Sequence, residues 1–252
     1  MIRVIVNGAK GKMGAESVKA IENTNTLSLV ATLDHGDNLV EAIEKHRADV
    51  VLDFTNPSSV FENTKQILNA GARPVIGTTG LSPEELDTLR DLSKETGLGV
   101  MICPNFAIGA ILMMKAAEMT AKWMTDVEII ETHHQNKLDA PSGTAIKTAE
   151  LIHAANPNIN PNLEKLKSTE LVPGARGGET QSVPIHSVRL PGFIADQSVV
   201  FGGPGQRLRI THESLNRESF MPGVILAIRH VMGVSELIYG LEHALGLSLN
   251  QS

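Results

Sequence analysis

Short apolar runs, each followed by a turn and a mixed polar stretch, recur through the first part of the chain. Residues 2–6 read Ile-Arg-Val-Ile-Val, and comparable runs occupy Leu27–Leu33, residues 49–54, Arg73–Ile76 and residues 98–102. Runs this short and rich in β-branched residues suit strands covered on both faces, as in a parallel sheet. The stretches between them predict helices. One runs from the turn after Gly8 to about Ile21, another is opened by Thr55-Asn56-Pro57-Ser58, and a third by Ser82-Pro83-Glu84-Glu85. The third has serine at the cap, proline at the first helical position and glutamate three residues on, which is a capping box. Strands alternating with helices in this way predict α/β architecture, a Rossmann-like doubly wound parallel sheet that takes ligands beyond the carboxyl ends of its strands.

The pattern changes near residue 105. Residues 107–123, rich in Ala, Met and Leu, predict a helix packed in a core or against a hinge. Residues 127–131 are β-like, and the run 145–155 is helical. Pro157 and Pro161 break the chain, and the glycine-rich stretch 172–181 reads as a mobile loop. Three β-like runs follow, Val183–Arg189, residues 198–201 and residues 207–212, with no helical pattern between them. They predict an α+β domain with a mainly antiparallel sheet and the helix from Ser142 packed on it. Two apolar-faced helices, residues 221–232 and 235–245, close the chain. Residues 1–105 and 214–252 are thus expected to form one domain, and residues 106–213 the other.

Composition narrows the class. A chain of 252 residues, 42% hydrophobic and 20% charged, fills one large or two small globular domains. Its net charge of −6 argues against a nucleic-acid partner, which favours a basic surface. No apolar run approaches the roughly 18–20 residues of a membrane helix, and the N-terminus lacks a signal-peptide core. The single cysteine, Cys103, excludes an intramolecular disulfide. Its neighbours Val100, Met101 and Ile102 predict a buried thiol rather than a nucleophile. A cytoplasmic location is expected.

Two segments carry the chemistry. The first, Asn7-Gly8-Ala9-Lys10-Gly11-Lys12-Met13-Gly14, joins the first strand to the first helix. Glycines are needed there because side chains would keep a pyrophosphate from the helix N-terminus. Asp34, with His35 beside it, ends the second strand about 20 residues further on, where a dinucleotide fold holds the adenosine ribose. Its carboxylate favours the 2′-hydroxyl of NADH, while Lys10, Lys12 and His35 are near enough in sequence to offset its repulsion of the NADPH phosphate. Either cofactor is open on this reading. Phe54-Thr55, Gly77-Thr78-Thr79 and Cys103-Pro104-Asn105-Phe106 lie at further strand ends.

The second segment begins at Glu128. It packs His133, His134, Lys137 and Asp139 together and closes on Pro141-Ser142-Gly143-Thr144. Ser142 or Thr144 caps a helix start, whose bare N–H groups beside a lysine make an anion site. Imidazoles move protons near neutral pH. The combination reads as a reaction centre for a carboxylate-bearing small molecule. A metal is not expected, because adjacent residues on an extended strand point to opposite faces and chelate one ion poorly.

The run H-H-x-x-K-x-D-A-P-S-G-T-A, here His133 to Ala145, resembles the defining segment of the 4-hydroxy-tetrahydrodipicolinate reductase (dihydrodipicolinate reductase) family of diaminopimelate and lysine biosynthesis, with no departure at its fixed positions. The loop from Gly8 to Gly14 matches the family's G-A-x-G-x-M-G variant. The resemblance extends to about Gly223, with a connection between Asp34 and Asp49 shorter than in many relatives. It implies NADH- or NADPH-dependent reduction of a cyclic hydroxylated imine dicarboxylate, with loss of water. His133 and Lys137 are then the acid/base pair, Lys137 the proton donor, and His134, Ser142, Gly143, Thr144 and Arg217 the substrate contacts. The three strand-end segments line the nicotinamide, and a hinge closes on the cofactor. The first domain binds the dinucleotide, with the terminal helices returning to it. The second binds substrate and forms a homotetramer through its sheet. Two alternatives stand beside this. Another two-domain nicotinamide-dependent amino-acid dehydrogenase would not need the whole array from His133 to Thr144, and a non-catalytic dinucleotide-binding sensor would show no turnover dependent on Lys137.

Overall fold

The computed structural model describes residues 1–163 and 169–247. In chain order the elements are β1 (Ile2–Asn7), α1 (Lys12–Glu22), β2 (Leu27–Leu33), α2 (Leu39–His46), β3 (Val50–Asp53), α3 (Val60–Asn69), β4 (Arg73–Ile76), α4 (Pro83–Thr96) and β5 (Val100–Ile102). There follow α5 (Ile108–Ala121), β6 (Asp126–His133), α6 (Gly143–Ala155), β7 (Gly178–Thr180), β8 (Val183–Arg189), β9 (Ala195–Gly203) and β10 (Gln206–Ser214). The chain closes with α7 (Met221–Val231) and β11 (Leu237–Tyr239). Two compact units result, Met1–Ile108 with Arg217–Ser252, and Gly109–Asn216.

The first unit is built on a parallel sheet of order β11-β5-β4-β3-β1-β2. The apolar runs read as strands are buried, with Val4, Ile5, Val6, Val50, Val51 and Leu52 all fully covered. One cluster packs Ile5, Ile43, Val51 and Ile67, and another packs Val60, Leu68, Ile76 and Val100. The order of strands reverses at β1, which has β2 on one side and β3 on the other. Such a reversal opens a crevice at the carboxyl ends of the strands. The capping box of α4 forms as expected: Ser82 Oγ accepts the Glu85 N–H at 3.2 Å, and Glu85 Oε2 accepts the Ser82 N–H at 2.8 Å.

The second unit carries a sheet of order β10-β9-β6-β8-β7. It is antiparallel except where β6 runs parallel to β8. Parallel neighbours need a crossover, and α6 lies in the connection between them. Alternate residues of β6, Val127 and Ile129, pack with Ala145, Ala149 and Ile152 of α6 and with Val199 and Phe201 of β9. Helix α5 buries Met113, Ala117 and Ala121 in the same cluster.

Two expectations are corrected. Residues 235–245 are not a helix but β11 followed by one 3-10 turn, Leu241–His243. Leu237, Ile238 and Tyr239 pair in register with Val100, Met101 and Ile102, so the edge of the sheet recruits a segment whose apolar spacing also suits a helix. Gly240 at φ 105° then ends the strand in a conformation that favours glycine. The stretch 172–181 is not all loop, because Gly178–Thr180 pairs with β8. Gln181 and Ser182, at φ 53° and 60°, make the tight hairpin turn that joins them. Among the described residues no helix is long and apolar enough to cross a membrane.

Candidate active site

The first unit holds an open cleft of about 690 Å³ at the carboxyl ends of β1, β2 and β3. Of the residues picked out from sequence, Gly8, Lys10, Gly11, Asp34, His35, Phe54 and Thr55 line it. The loop is tied to β2 through the Gly8 and Ala9 amides, which donate to the Leu33 carbonyl at 2.9 and 3.0 Å. Gly8 sits at φ 80°, and a Cβ there would lie 2.6 Å from the Phe54 carbonyl oxygen. Gly14 backs the loop so closely that a Cβ would stand 2.1 Å from the Gly8 oxygen. Gly11 caps α1 without a side-chain hydrogen bond, and Lys12 and Met13 begin the helix. The amides of a first turn left uncapped are donors for an anion.

Asp34 braces this loop. Its Oδ2 accepts the Lys10 amide and its Oδ1 the His35 amide, each at 2.9 Å. These backbone donors, His35 first and Lys10 next, hold its carboxyl below the usual aspartate range. A glycine-bordered helix start, a cleft and an ionised carboxylate at the end of β2 together fit the pyrophosphate and ribose of a dinucleotide.

The remaining cofactor candidates sit at the ends of β4 and β5 and do not line the cleft. Gly77 accommodates the Phe54 and Phe106 rings, which meet edge to face at 5.6 Å. Thr78 Oγ1 reaches Asp53 Oδ1 at 3.4 Å, and Thr79 is exposed. Cys103 is buried, as expected, burial pushes its thiol far up, and its amide donates to the Ile76 carbonyl at 2.8 Å. Pro104 is exposed, and Asn105 Oδ1 accepts the Ala107 amide at 2.8 Å. Asp53 itself is not among the residues the sequence points to. Fully buried, it accepts Asn7 Nδ2 at 2.9 Å, Asn63 Nδ2 at 3.0 Å and Thr55 Oγ1 at 2.6 Å, so it fixes three strand and helix ends around the cleft.

The second unit gathers the other segment around Glu131. Period-two alternation puts Val127, Ile129, Glu131 and His133 on one face of β6, and Glu131 is fully buried there. Arg189 at the end of β8 clamps it, Nη2 to Oε1 at 2.8 Å and Nη1 to Oε2 at 3.0 Å. His133 Nδ1 lies 2.5 Å from Oε2, and the Ser142 amide donates to Oε1 at 3.3 Å. Burial works against this carboxylate's charge, but bonds from His133, Arg189 and Ser187 prevail and hold its pKa at about 2.

From this anchor the reactive segment is laid out. Arg189 Nη2 also donates to the Asp139 carbonyl at 2.7 Å, and the Asp139 carboxylate receives Lys137 Nζ at 2.8 Å. Ser142 caps α6, its Oγ accepting the Ala145 amide at 3.2 Å. The amides of Gly143 and Thr144 start the helix, and the Cβ position of Gly143 opens on empty space. His134 follows His133 off the strand and is half-buried. Arg217 stands in the first unit, at the start of the 3-10 turn Arg217–Phe220. Among the described residues no cluster of three or more His, Cys, Asp or Glu side chains is arranged to hold a metal.

In this unit Glu131 and Arg189 are, like Asp53 in the first, residues that sequence reasoning does not single out. For Glu131 the signal exists: a carboxylate two positions after Ile129 on an alternating strand falls on the core side. Arg189 reaches the site only through the pairing of β8 with β6, where it stands opposite His133.

The two halves of this picture coincide with two family models. The dihydrodipicolinate reductase N-terminal model matches residues 2–106, and its C-terminal model matches residues 109–245. The chain belongs to the dihydrodipicolinate reductase family. The 4-hydroxy-tetrahydrodipicolinate reductase of Legionella pneumophila (strain Lens) is 50% identical over 96% of this chain and 99% of its own. That of Geobacillus kaustophilus is 46% identical over 97% and 99%. Among solved structures, the dipicolinate-bound dihydrodipicolinate reductase from Paenisporosarcina sp. TG-14 superposes with a TM-score of 0.87 at 46% identity, covering 96% of this chain and 99% of that one. An amine dehydrogenase from Mycobacterium smegmatis, 13% identical with a TM-score of 0.62, shares the fold alone. Dihydrodipicolinate reductases use NADH or NADPH, which matches the cleft of the first unit.

Proposed function

We propose that this chain reduces 4-hydroxy-tetrahydrodipicolinate to tetrahydrodipicolinate, with one NADH or NADPH consumed, one proton taken up and one water released, in diaminopimelate and lysine biosynthesis. The observation that carries the reading is the joint anchoring of His133, Lys137 and the α6 N-terminus on one buried pair, Glu131 and Arg189. When bound, the reduced nicotinamide supplies hydride. Gly8, Gly11 and the first turn of α1 hold its pyrophosphate, and Asp34 meets the adenosine ribose.

The chain's own part at the substrate is electrostatic and proton-moving. A cyclic dicarboxylate presents an anionic group to the Gly143 and Thr144 amides, where the helix dipole and Ser142 favour it. Lys137 Nζ gives the proton that must follow hydride, and His133 holds or returns one as water leaves. His134 and Arg217 contact substrate in this reading. Dipicolinate, the ligand bound to the Paenisporosarcina enzyme, is a planar analogue of that substrate. It is expected to inhibit competitively against substrate, and inhibition lost in Gly143→Pro, which removes a first-turn amide where a helix tolerates proline, but kept in an Asp34 variant assigns it to the α6 start. Inhibition that instead competes with the dinucleotide contradicts the assignment.

Asp34 sets cofactor choice. Replacing it by serine removes a negative charge from beside the ribose 2′ position, and roughly a five- to tenfold relative gain in kcat/KM for NADPH over NADH is expected. Equal effects on both cofactors would show that Asp34 only braces the loop. The work is done in the cytoplasm, and the protein acts as a homotetramer. The face of the second sheet away from α6 supports this, for Ile130 lies exposed at its centre between His186 and Ser198. Light scattering of the purified protein reads the mass; a monomer contradicts the assembly.

A further inference from the structure

On β6 the sequence places a carboxylate where the alternation asks for an apolar side chain. Val127 and Ile129 are buried on this face, and Glu131 continues the row with no exposure of its own. Its flanking partners in the sheet are Ser187 on β8 and Gln197 on β9. A charge in such a position is strongly disfavoured unless its lone pairs are filled. Donors fill them here: two from Arg189, one from the Ser142 amide, one from the Ser187 side chain and one from His133 Nδ1. The last of these belongs to a residue of the reaction centre.

We propose that Glu131 is a positioning residue for the reduction, fixing His133 so that Nδ1 always carries the shared proton and only Nε2 gains or loses one at the substrate. This rests on the function proposed above and adds to it a residue that never touches the substrate. An ionised acceptor on Nδ1 leaves a neutral imidazole one tautomer, Nδ1–H with the Nε2 lone pair available, and a cationic one both protons. The proton exchange is therefore confined to Nε2. Arg189 keeps the acceptor ionised and still. Because Arg189 is tied as well to the Val188 carbonyl at 2.7 Å and the Asp139 carbonyl, it cannot rotate away with Glu131. The other charged groups around the pair are Lys137 and Asp139 in the loop, Asp196 on β9, and His212 and Glu213 on β10 beside Asp196. None of them is hydrogen-bonded to Nδ1, whose place Glu131 occupies.

The test is Glu131→Gln beside Glu131→Asp. With its carbonyl left to the two donors at the Oε1 position, Arg189 Nη2 and the Ser142 amide, a glutamine turns its NH2 to His133 and donates to Nδ1, so the neutral ring takes the Nε2–H tautomer. By analogy with the aspartate of a serine-protease triad, kcat falls by roughly a thousand- to ten-thousand-fold while the dinucleotide KM is unchanged. The pH–rate profile is expected to change as well, because the ionised partner of the ring is gone. Glu131→Asp keeps the charge and is expected to keep the form of that profile. Nitrogen NMR of His133 in the unmodified protein provides the independent arm, free of any assay of turnover. Nδ1–H in the neutral form supports the proposal even if the substrate is another dicarboxylate. Nε2–H overturns it even in an active reductase, as does a Glu131→Gln protein whose kcat and pH–rate profile match those of the unmodified protein. If Glu131→Gln does not fold, the NMR assignment in the unmodified protein decides.

Discussion

Lys137→Ala is expected to lower kcat by roughly a hundred- to ten-thousand-fold, the range for loss of a positioned general acid, while dinucleotide affinity stays as it was. Lys137 is half-buried and held by Asp139, whose backbone carbonyl is in turn fixed by Arg189. The ammonium is thus placed by a chain of bonds that starts at a fully buried carboxylate and ends at the exposed Asp139 side chain. Removing it leaves the cleft of the first unit untouched, so binding of NADH measured by fluorescence should not change. Single-turnover rates separate the two effects. A variant that binds substrate poorly but turns it over at the original rate when saturated would make Lys137 a carboxylate-binding group and leave another proton donor to be found.

Arg189→Met is expected to be the most destabilising single change in the second unit. It leaves Glu131 in the core with its charge and without its bidentate partner, a change that costs about 3–5 kcal/mol in comparable buried pairs. Urea denaturation reads the loss. Removing both members, Glu131→Gln with Arg189→Met, is expected to restore most of it, because no buried charge is then unpaired. The pair also gives stability a definite pH dependence. Glu131 has a pKa of about 2 in the folded protein against 4.5 for the free group, so it binds fewer protons folded than unfolded. Its contribution is complete above the free value and is lost as pH falls through about 2. In Arg189→Met burial pushes that pKa upward, and acid destabilisation is expected to begin at higher pH. A variant as stable as the original across this range contradicts the buried-pair account.

Much of this was legible in the sequence because it is written locally. β1 to β5 are short continuous apolar runs, and runs of that kind in alternation with capped helices have few other solutions. The loop from Gly8 to Gly14 carries its own geometry, since Gly8 takes a positive φ and Gly14 leaves no room for a Cβ. What escaped depends on pairing across long separations. Leu237-Ile238-Tyr239 is a strand because β5 offers an edge, not because three apolar residues demand one. Parallel pairing of β6 with β8 follows from the α6 crossover, and with it comes the meeting of Arg189 and Glu131 across 58 positions. His133 and Lys137 could be picked out from their neighbours in sequence. Alternation along β6 marks Glu131 as buried, but Arg189, which completes the anchor, could be found only by register.

The central claim is tested most directly by following NADH and NADPH oxidation in the near ultraviolet, with the substrate made in situ from pyruvate and aspartate semialdehyde. Oxidation that requires both precursors, proceeds with the unmodified protein and nearly vanishes in Lys137→Ala is the expected result. Folded protein that binds the dinucleotide yet oxidises neither cofactor in the presence of that substrate contradicts the account.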